Sequence, residues 1–436
     1  MKIGLIGLIL LAAVLTFYWP HVQQATFVFE DDRSQYLRDY SLSTALTTGR
    51  GLTQYSWTAV HTPQWAHTLN VALHGLNVLL AGVLFWQITR GRWIAVGIAA
   101  MVALHPLTVE SVAYATSRAE LIAAMGALAA LIAVTTARSR WWWLAVPGCL
   151  LLAYAGKETG LVAVGLIPLV VWAAGQRTRI ESAMWLIGGS LAVTSAIWAP
   201  RVPSWLVIGY MPRMQVDGVT WFLTQAEAVW RLVVLSIVPW PGWLSVTPTP
   251  SVTWVGGLAA VVLLVGLLEV AWRARHAAPL LTLGILWCAV VAAPRFLVRT
   301  PLSPFNEHQW YLAIPGVACC VVALIDLAAR WWETRGREAL DVRPGVSAAC
   351  VADDIRTNAE FFGQYRRGLR GCANTFHAVI SQRGLRHALS AGYTAFLKCI
   401  SGVVFGSAKE QMCRIATGRV VAVMAHAKAV RDGAVG

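Results

Sequence analysis

The sequence predicts an all-α polytopic membrane protein, a bundle of about ten or eleven transmembrane helices with a chemistry-bearing first outside loop. Three observations predict it. Of 436 residues, 57% are hydrophobic and 13% charged, against about 25% charged in a soluble domain. Apolar runs of membrane-spanning length recur along the chain as far as about 330, separated by short polar turns. The basic residues gather in alternate turns, as loops facing an anionic cytoplasmic leaflet require.

That placement also explains the formal charge of +14. The Lys and Arg residues lie between apolar runs rather than on one continuous face, so the charge argues for a membrane surface and against nucleic acid. The eight cysteines form no CxxC pair and no Cys/His group at metal-ligand spacing, which excludes a zinc module and a disulfide framework.

Residues 3 to 19 are apolar after Lys2 and end in a Phe17-Tyr18-Trp19 belt, which reads as an uncleaved first helix entering from the cytoplasm. The outside loop over 20 to 64 contains Glu30-Asp31-Asp32. Three consecutive carboxylates beside a bilayer are costly unless water, a cation or chemistry holds them there. One of them is expected to be a catalytic base.

The second span, about 65 to 88, is unusually polar. His67, Asn70, His74 and Asn77 fall at i, i+3, i+7 and i+10, on one helical face that must look into protein or a wet cavity. His67 and His74 are about 10 Å apart at ~1.5 Å rise per residue, too far to share one metal ion on a straight helix. Two readings stand: hydrogen bonds to neighbouring helices, or a stripe facing substrate.

Arg90-Gly91-Arg92 marks a cytoplasmic turn, and the following span returns to the outside at His105-Pro106. Glu110, Arg118 and Glu120 come next, ahead of an apolar run over 121 to 136. Spans at about 142 to 155 and 161 to 174 enclose Gly156-Lys157-Glu158-Thr159-Gly160, again outside. A further span at 183 to 199 precedes an amphipathic stretch, 221 to 239, whose crossing decides between ten spans and eleven. Runs at 254 to 272, 278 to 294 and 310 to 329 follow, with Glu307 in the last outside loop. From about 336 to 436 the chain is basic and lacks long apolar runs, a tail or small soluble domain. An arginine at the outside boundary either anchors at the headgroups or binds a lipid phosphate through its planar fork.

The outside-facing pieces form a set. "FVFEDDRSQYL", "HTLNVALHGLNVLLAG", "HPLTVESVAYATSRAELIAA", "GKETGLVAVGLIPL", "FLTQAEAVWRLVVLSIVPWP" and "NEHQWYLAIPGVA" occur in this order. Together they resemble the membrane region of transmembrane and tetratricopeptide repeat-containing O-mannosyltransferase-like proteins and their bacterial relatives, of the GT-C glycosyltransferase superfamily. The resemblance covers roughly residues 1 to 330. The loop before the His/Asn helix departs from the family pattern, reading "SWTAVHTPQWAHTLN". An Arg-Tyr-Leu-Tyr-like element reads His308-Gln309-Trp310-Tyr311 and has lost its arginine, and the tail shows no 34-residue period.

The resemblance implies a GT-C fold and transfer of a sugar from a polyprenyl or dolichyl phosphate to an acceptor hydroxyl, usually with inversion. The acceptor is expected to be a protein Ser or Thr, or alternatively a glycan or lipid. The match to the family's acidic motif implies Asp31 or Asp32 as base, with Glu30 beside them. Arg118 and Lys157 are the expected phosphate contacts. His67, Asn70, His74, His105, Glu110, Glu120, Glu158 and Glu307 are expected to orient sugar or acceptor. No metal is required, although Glu30, Asp31 and Asp32 are able to hold a divalent ion beside a lipid phosphate. A bacterial inner membrane is favoured, with the site facing the periplasm. The rival classes are a transporter, which predicts midplane substrate groups and two matching halves, and a non-catalytic scaffold.

Overall fold

A computed structural model describes residues 3–26, 41, 50–60, 62–136, 142–175, 217–238, 254–297 and 307–341. Glu30, Asp31 and Asp32, the expected span at 183 to 199, and most of the tail lie outside the described residues. The chain divides after Glu333, and the description below concerns the N-terminal unit.

Among the described residues every element is helical. The helices are α1 (Ile3–Gln23), α2 (Gly51–Ser56), α3 (Pro63–Thr89), α4 (Arg92–Leu104), α5 (Thr108–Ala113) and α6 (Arg118–Thr136). Then come α7 (Trp142–Gly156), α8 (Val162–Ala173), α9 (Gly218–Ile237), α10 (Trp254–Ala274), α11 (Pro279–Leu297) and α12 (Ile314–Asp341). Four 3-10 turns join them, at Trp57–Ala59, Ala115–Ser117, Glu158–Leu161 and Glu307–Ala313.

Among the described residues six segments are long and apolar enough to cross a membrane: Gly4–Gln23, Pro63–Thr89, Ala115–Thr136, Trp254–Ala274, Pro279–Phe296 and Glu307–Trp332. The protein is an all-α membrane protein by this measure. The expected crossings near 93 to 104, 142 to 155 and 161 to 174 are apolar helices but short ones. The 13 residues of α4 extend about 20 Å at ~1.5 Å per residue, less than a hydrocarbon core of about 30 Å. The amphipathic 221 to 239 stretch forms the 20-residue α9 and is not among the six.

Local chemistry sets the ends of these helices. Pro63 opens α3 at a position where its missing N–H is not needed, and the Thr62 hydroxyl caps it by accepting the Trp65 N–H at 3.2 Å. Arg90 closes α3 in the left-handed region, φ 57°, where its N–H still reaches the Trp86 carbonyl at 2.9 Å. Asp217 caps α9, its carboxylate accepting the Val219 and Thr220 N–H groups at 2.9 Å each.

The core runs through α3, α4, α6, α7 and α8, with α9, α11 and α12 completing it. In lipid no hydrophobic force drives helices together, so close backbone approach supplies the attraction. The α6–α7 seam depends on it: a Cβ on Gly126 would stand 2.4 Å from the Ala153 nitrogen, and one on Gly156 2.6 Å from the Ala123 nitrogen. At the α11–α12 seam a Cβ on Gly284 would meet the Gly316 carbonyl oxygen at 2.5 Å. Trp287 is buried there, tilted against Phe85 and donating to the Leu312 carbonyl at 2.7 Å.

Candidate active site at one end of the bundle

The chain builds one polar end. The C-terminal end of α1, α2, the first turns of α3, α5, the N-terminus of α6 and the α7–α8 turn meet there, and the Glu307–Ala313 turn joins them.

Arg118 is fully buried at the start of α6. Its Nε donates to Asn70 Oδ1 at 3.1 Å, one terminal nitrogen to Ser56 Oγ at 3.0 Å, and the other to the Ala66 carbonyl at 3.3 Å. The guanidinium lies over the Trp57 ring, 4.6 Å from its centroid. The residue expected to bind phosphate therefore ties α6 to α2 and α3.

Lys157, the second expected phosphate contact, pairs with Glu120: Nζ and Oε1 are 2.5 Å apart, with both side chains buried. Thr159 donates to the other Glu120 oxygen at 3.2 Å. Arg295, near the end of α11, also interacts electrostatically with Glu120. Beside this cluster Arg50 grips Glu158 with two nitrogens, Nε to Oε2 at 2.8 Å and a terminal nitrogen to Oε1. A side-chain bond, the Thr53 hydroxyl donating to the Gly156 carbonyl at 2.7 Å, fastens the same two segments.

Glu110 holds the Glu307–Ala313 turn. Its carboxylate accepts the His308 N–H at 3.0 Å and lies 2.9 Å from His308 Nδ1. Glu307 lies close enough for its carboxyl to be repelled by Glu110. Tyr311 lies one turn further on, where its hydroxyl contacts His74 Nδ1 at 2.8 Å and accepts from Asn77 Nδ2 at 3.3 Å.

The polar face of α3 divides in two. Asn70 donates to the Tyr114 and Val112 carbonyls at 3.0 and 3.3 Å. His74 Nε2 faces the Ala103 carbonyl at 3.2 Å; a carbonyl only accepts, so that nitrogen carries a proton. Asn77 Nδ2 also donates to the Leu121 carbonyl at 3.0 Å. These three residues bind neighbouring segments, which favours the helix-to-helix reading for them. His67 is different: it is 1% exposed, and among the described residues neither ring nitrogen has a hydrogen-bond partner. Its ring meets His21 edge-on, centroids 5.0 Å apart.

His105 stands apart from this end cluster in its bonding. Nε2 donates to the Ser236 carbonyl at 3.0 Å and Nδ1 accepts the Leu107 N–H at 3.2 Å. Burial pushes its pKa down to about 4, opposed by the bond to Ser236. Both nitrogens thus hold backbone, linking the end of α4 to the end of α9.

Sequence reasoning overlooked Arg50, Arg295 and His21. The signal was available: a basic residue on the side expected to be non-cytoplasmic opposes the positive-inside bias, and so asks for a local partner. Among the described residues no group of three or more His, Cys, Asp or Glu is arranged to hold a metal ion. Comparison with protein-family models, with curated proteins and with solved structures finds no match to this chain.

Proposed function

We propose that the protein is a membrane glycosyltransferase of GT-C type, moving a sugar from a polyprenyl-phosphate donor to an acceptor hydroxyl, a protein Ser or Thr, at the non-cytoplasmic face. The supporting observation is convergence: Arg50, Arg118, Lys157, Glu110, Glu120, Glu158 and His308 gather at one end of an apolar bundle. The chain enters that end from α1 immediately before Glu30-Asp31-Asp32. A transporter would instead gather its charged groups near the middle of the bilayer.

The transfer needs two groups. A carboxylate of Asp31 or Asp32 takes the acceptor O–H proton as the oxygen attacks the anomeric carbon. The bond from that carbon to the phosphate oxygen breaks, and its electron pair leaves with the lipid phosphate. Cationic hydrogen-bond donors stabilise the departing phosphate. Inversion follows from a single displacement. On this reading the protein sits in a bacterial inner membrane with this end in the periplasm.

The reading is tested with purified protein, a labelled polyprenyl-phosphate sugar and acceptor peptides, comparing wild type with Asp31→Ala and Asp32→Ala. A loss of at least 100-fold in one variant is expected from removal of a general base. Undiminished transfer in both variants overturns the base assignment.

A further inference from the structure

The Glu307–Ala313 turn is fastened from several sides. Trp310 Nε1 donates to Ser236 Oγ at 3.0 Å, the Tyr311 hydroxyl contacts His74 on α3 at 2.8 Å, and the Ser111 hydroxyl donates to the His308 carbonyl at 3.3 Å. His308 is therefore presented on a fixed stretch of backbone.

Glu110 fixes the ring as well. One carboxylate oxygen accepts the His308 backbone N–H at 3.0 Å, and the other stands 2.9 Å from Nδ1. A carboxylate only accepts, so Nδ1 carries a proton and the neutral ring keeps its free lone pair on Nε2. Among the described residues Nε2 has no hydrogen-bond partner, and unlike the His67 nitrogens it is not sealed from solvent. The His308 side chain is 17% exposed and that of Glu110 33%. Both nitrogens of His74 and of His105 meet protein groups, so neither ring is open in this way. His21 also has a ring nitrogen beyond its bond, but that bond is to the Ala113 carbonyl, which sets a tautomer without bringing a charge.

We propose that Glu110 and His308 form a carboxylate–imidazole pair in which Glu110 sets the tautomer and His308 Nε2 binds a substrate hydroxyl by accepting its hydrogen bond. This rests on the glycosyltransferase reading above, and it adds a hydroxyl contact to the Asp31 or Asp32 base. The hydroxyl belongs to the donor sugar or to the acceptor. The Glu110 charge across the ring strengthens Nε2 as an acceptor, because it stabilises positive charge drawn onto the imidazole. The same geometry makes Glu110→Gln informative. The His308 backbone N–H always donates, so the single amide oxygen goes to it and the amide NH2 turns to Nδ1. Nδ1 must then accept, which moves the ring proton to Nε2 and closes the hydroxyl site.

The test treats full-length protein in nanodiscs with diethyl pyrocarbonate, which acylates an imidazole nitrogen through its free lone pair, and reads each histidine by peptide mass spectrometry. Exposed His276 is the reference. In the wild type His308 should be modified readily, and buried His74 and His105 slowly. Glu110→Gln should slow His308 about tenfold, as a tautomer held by one hydrogen bond implies, and leave His276 unchanged. An unchanged His308 rate overturns the tautomer assignment. Polyprenyl-phosphate mannose, polyprenyl phosphate, a Ser peptide and the matching Ala peptide are then added separately to the wild type, an arm that needs no variant to fold. Protection by the mannose donor but not by polyprenyl phosphate supports the proposal and makes the hydroxyl the sugar's. Protection by the Ser peptide but not by the Ala peptide supports it and makes the hydroxyl the acceptor's. No protection by either hydroxyl ligand, or equal protection by its control, overturns the hydroxyl contact. If the wild type transfers sugar while His308 stays unprotected, only this proposal falls. If the wild type transfers nothing, the glycosyltransferase reading falls, and the Glu110→Gln arm still decides the pair.

Discussion

Helices α6 and α10 are alike in length and apolar character, and opposite in place. The most apolar stretch of the span that includes α6 is 72% buried inside the protein, while that of α10 is 17% buried. Both carry an acid paired with a base at nearly equal distance. Glu120 and Lys157 are 2.5 Å apart with side chains 7% and 9% exposed; Glu269 and Arg273 are 2.6 Å apart with side chains 52% and 78% exposed. The difference teaches that hydropathy says a segment can enter a membrane but not whether it meets lipid or protein. The polar residues that α6 carries at its N-terminus are held by other segments, whereas α10 keeps its pair within one turn.

The largest effect expected from this contrast is at the buried pair. Lys157→Ala leaves Glu120 buried beside fewer cationic partners and should destabilise the fold by about 3–5 kcal/mol, whereas Arg273→Ala should change it by about 0–0.5 kcal/mol. Thermal unfolding in one detergent measures both, and equal effects would break the contrast. The seam behind the pair comes next. Gly126→Leu forces a side chain into the Ala153 backbone and should cost about 1–3 kcal/mol or more. Gly266→Leu on α10, which has nothing within 4 Å of an added Cβ, should leave unfolding unchanged.

His105 gives a pH-dependent version of the same test. Its folded pKa of about 4 lies below the ordinary value of 6.5, so the native state favours the neutral ring. The stability this contributes is complete above pH 6.5 and is lost as pH falls toward 4, up to about 3 kcal/mol. The decline should be shallower in His105→Gln, and an unchanged slope would remove His105 as its source. A smaller effect than at His105 is expected at Arg50, which is 41% exposed in its pair with Glu158. Arg50→Ala should cost about 1 kcal/mol or less, read from the same unfolding curves.

Much of the fold is legible in the sequence because a bilayer restricts what a chain can do. The apolar runs mark the helices, and the spacing of His67, Asn70, His74 and Asn77 marks a buried face of α3. What that face touches was not legible, since its partners, Tyr311, Ala103, Leu121 and Tyr114, come from residues 29 to 237 positions away. The segment from 105 to 120 read as a plain outside boundary, yet it folds into α5 and a 3-10 turn whose carbonyls receive Asn70. Short-range propensity is silent there, because Asn70 shapes the segment from outside it. The same limit hid Arg50 and Arg295, whose importance lies in Glu158 and Glu120 rather than in their own neighbours along the chain. The carboxylates at 30 to 32 were conspicuous by composition alone, and they are the residues on which the proposed chemistry depends.

The most direct measurement is therefore the reaction itself. Purified wild-type protein in nanodiscs is given polyprenyl-phosphate mannose, labelled at the sugar, with Ser/Thr peptides. Formation of glycopeptide with the anomeric configuration inverted, and release of one polyprenyl phosphate for each sugar transferred, is the predicted result. Intact donor after prolonged incubation with a panel of lipid-phosphate sugars and hydroxyl acceptors would contradict the account.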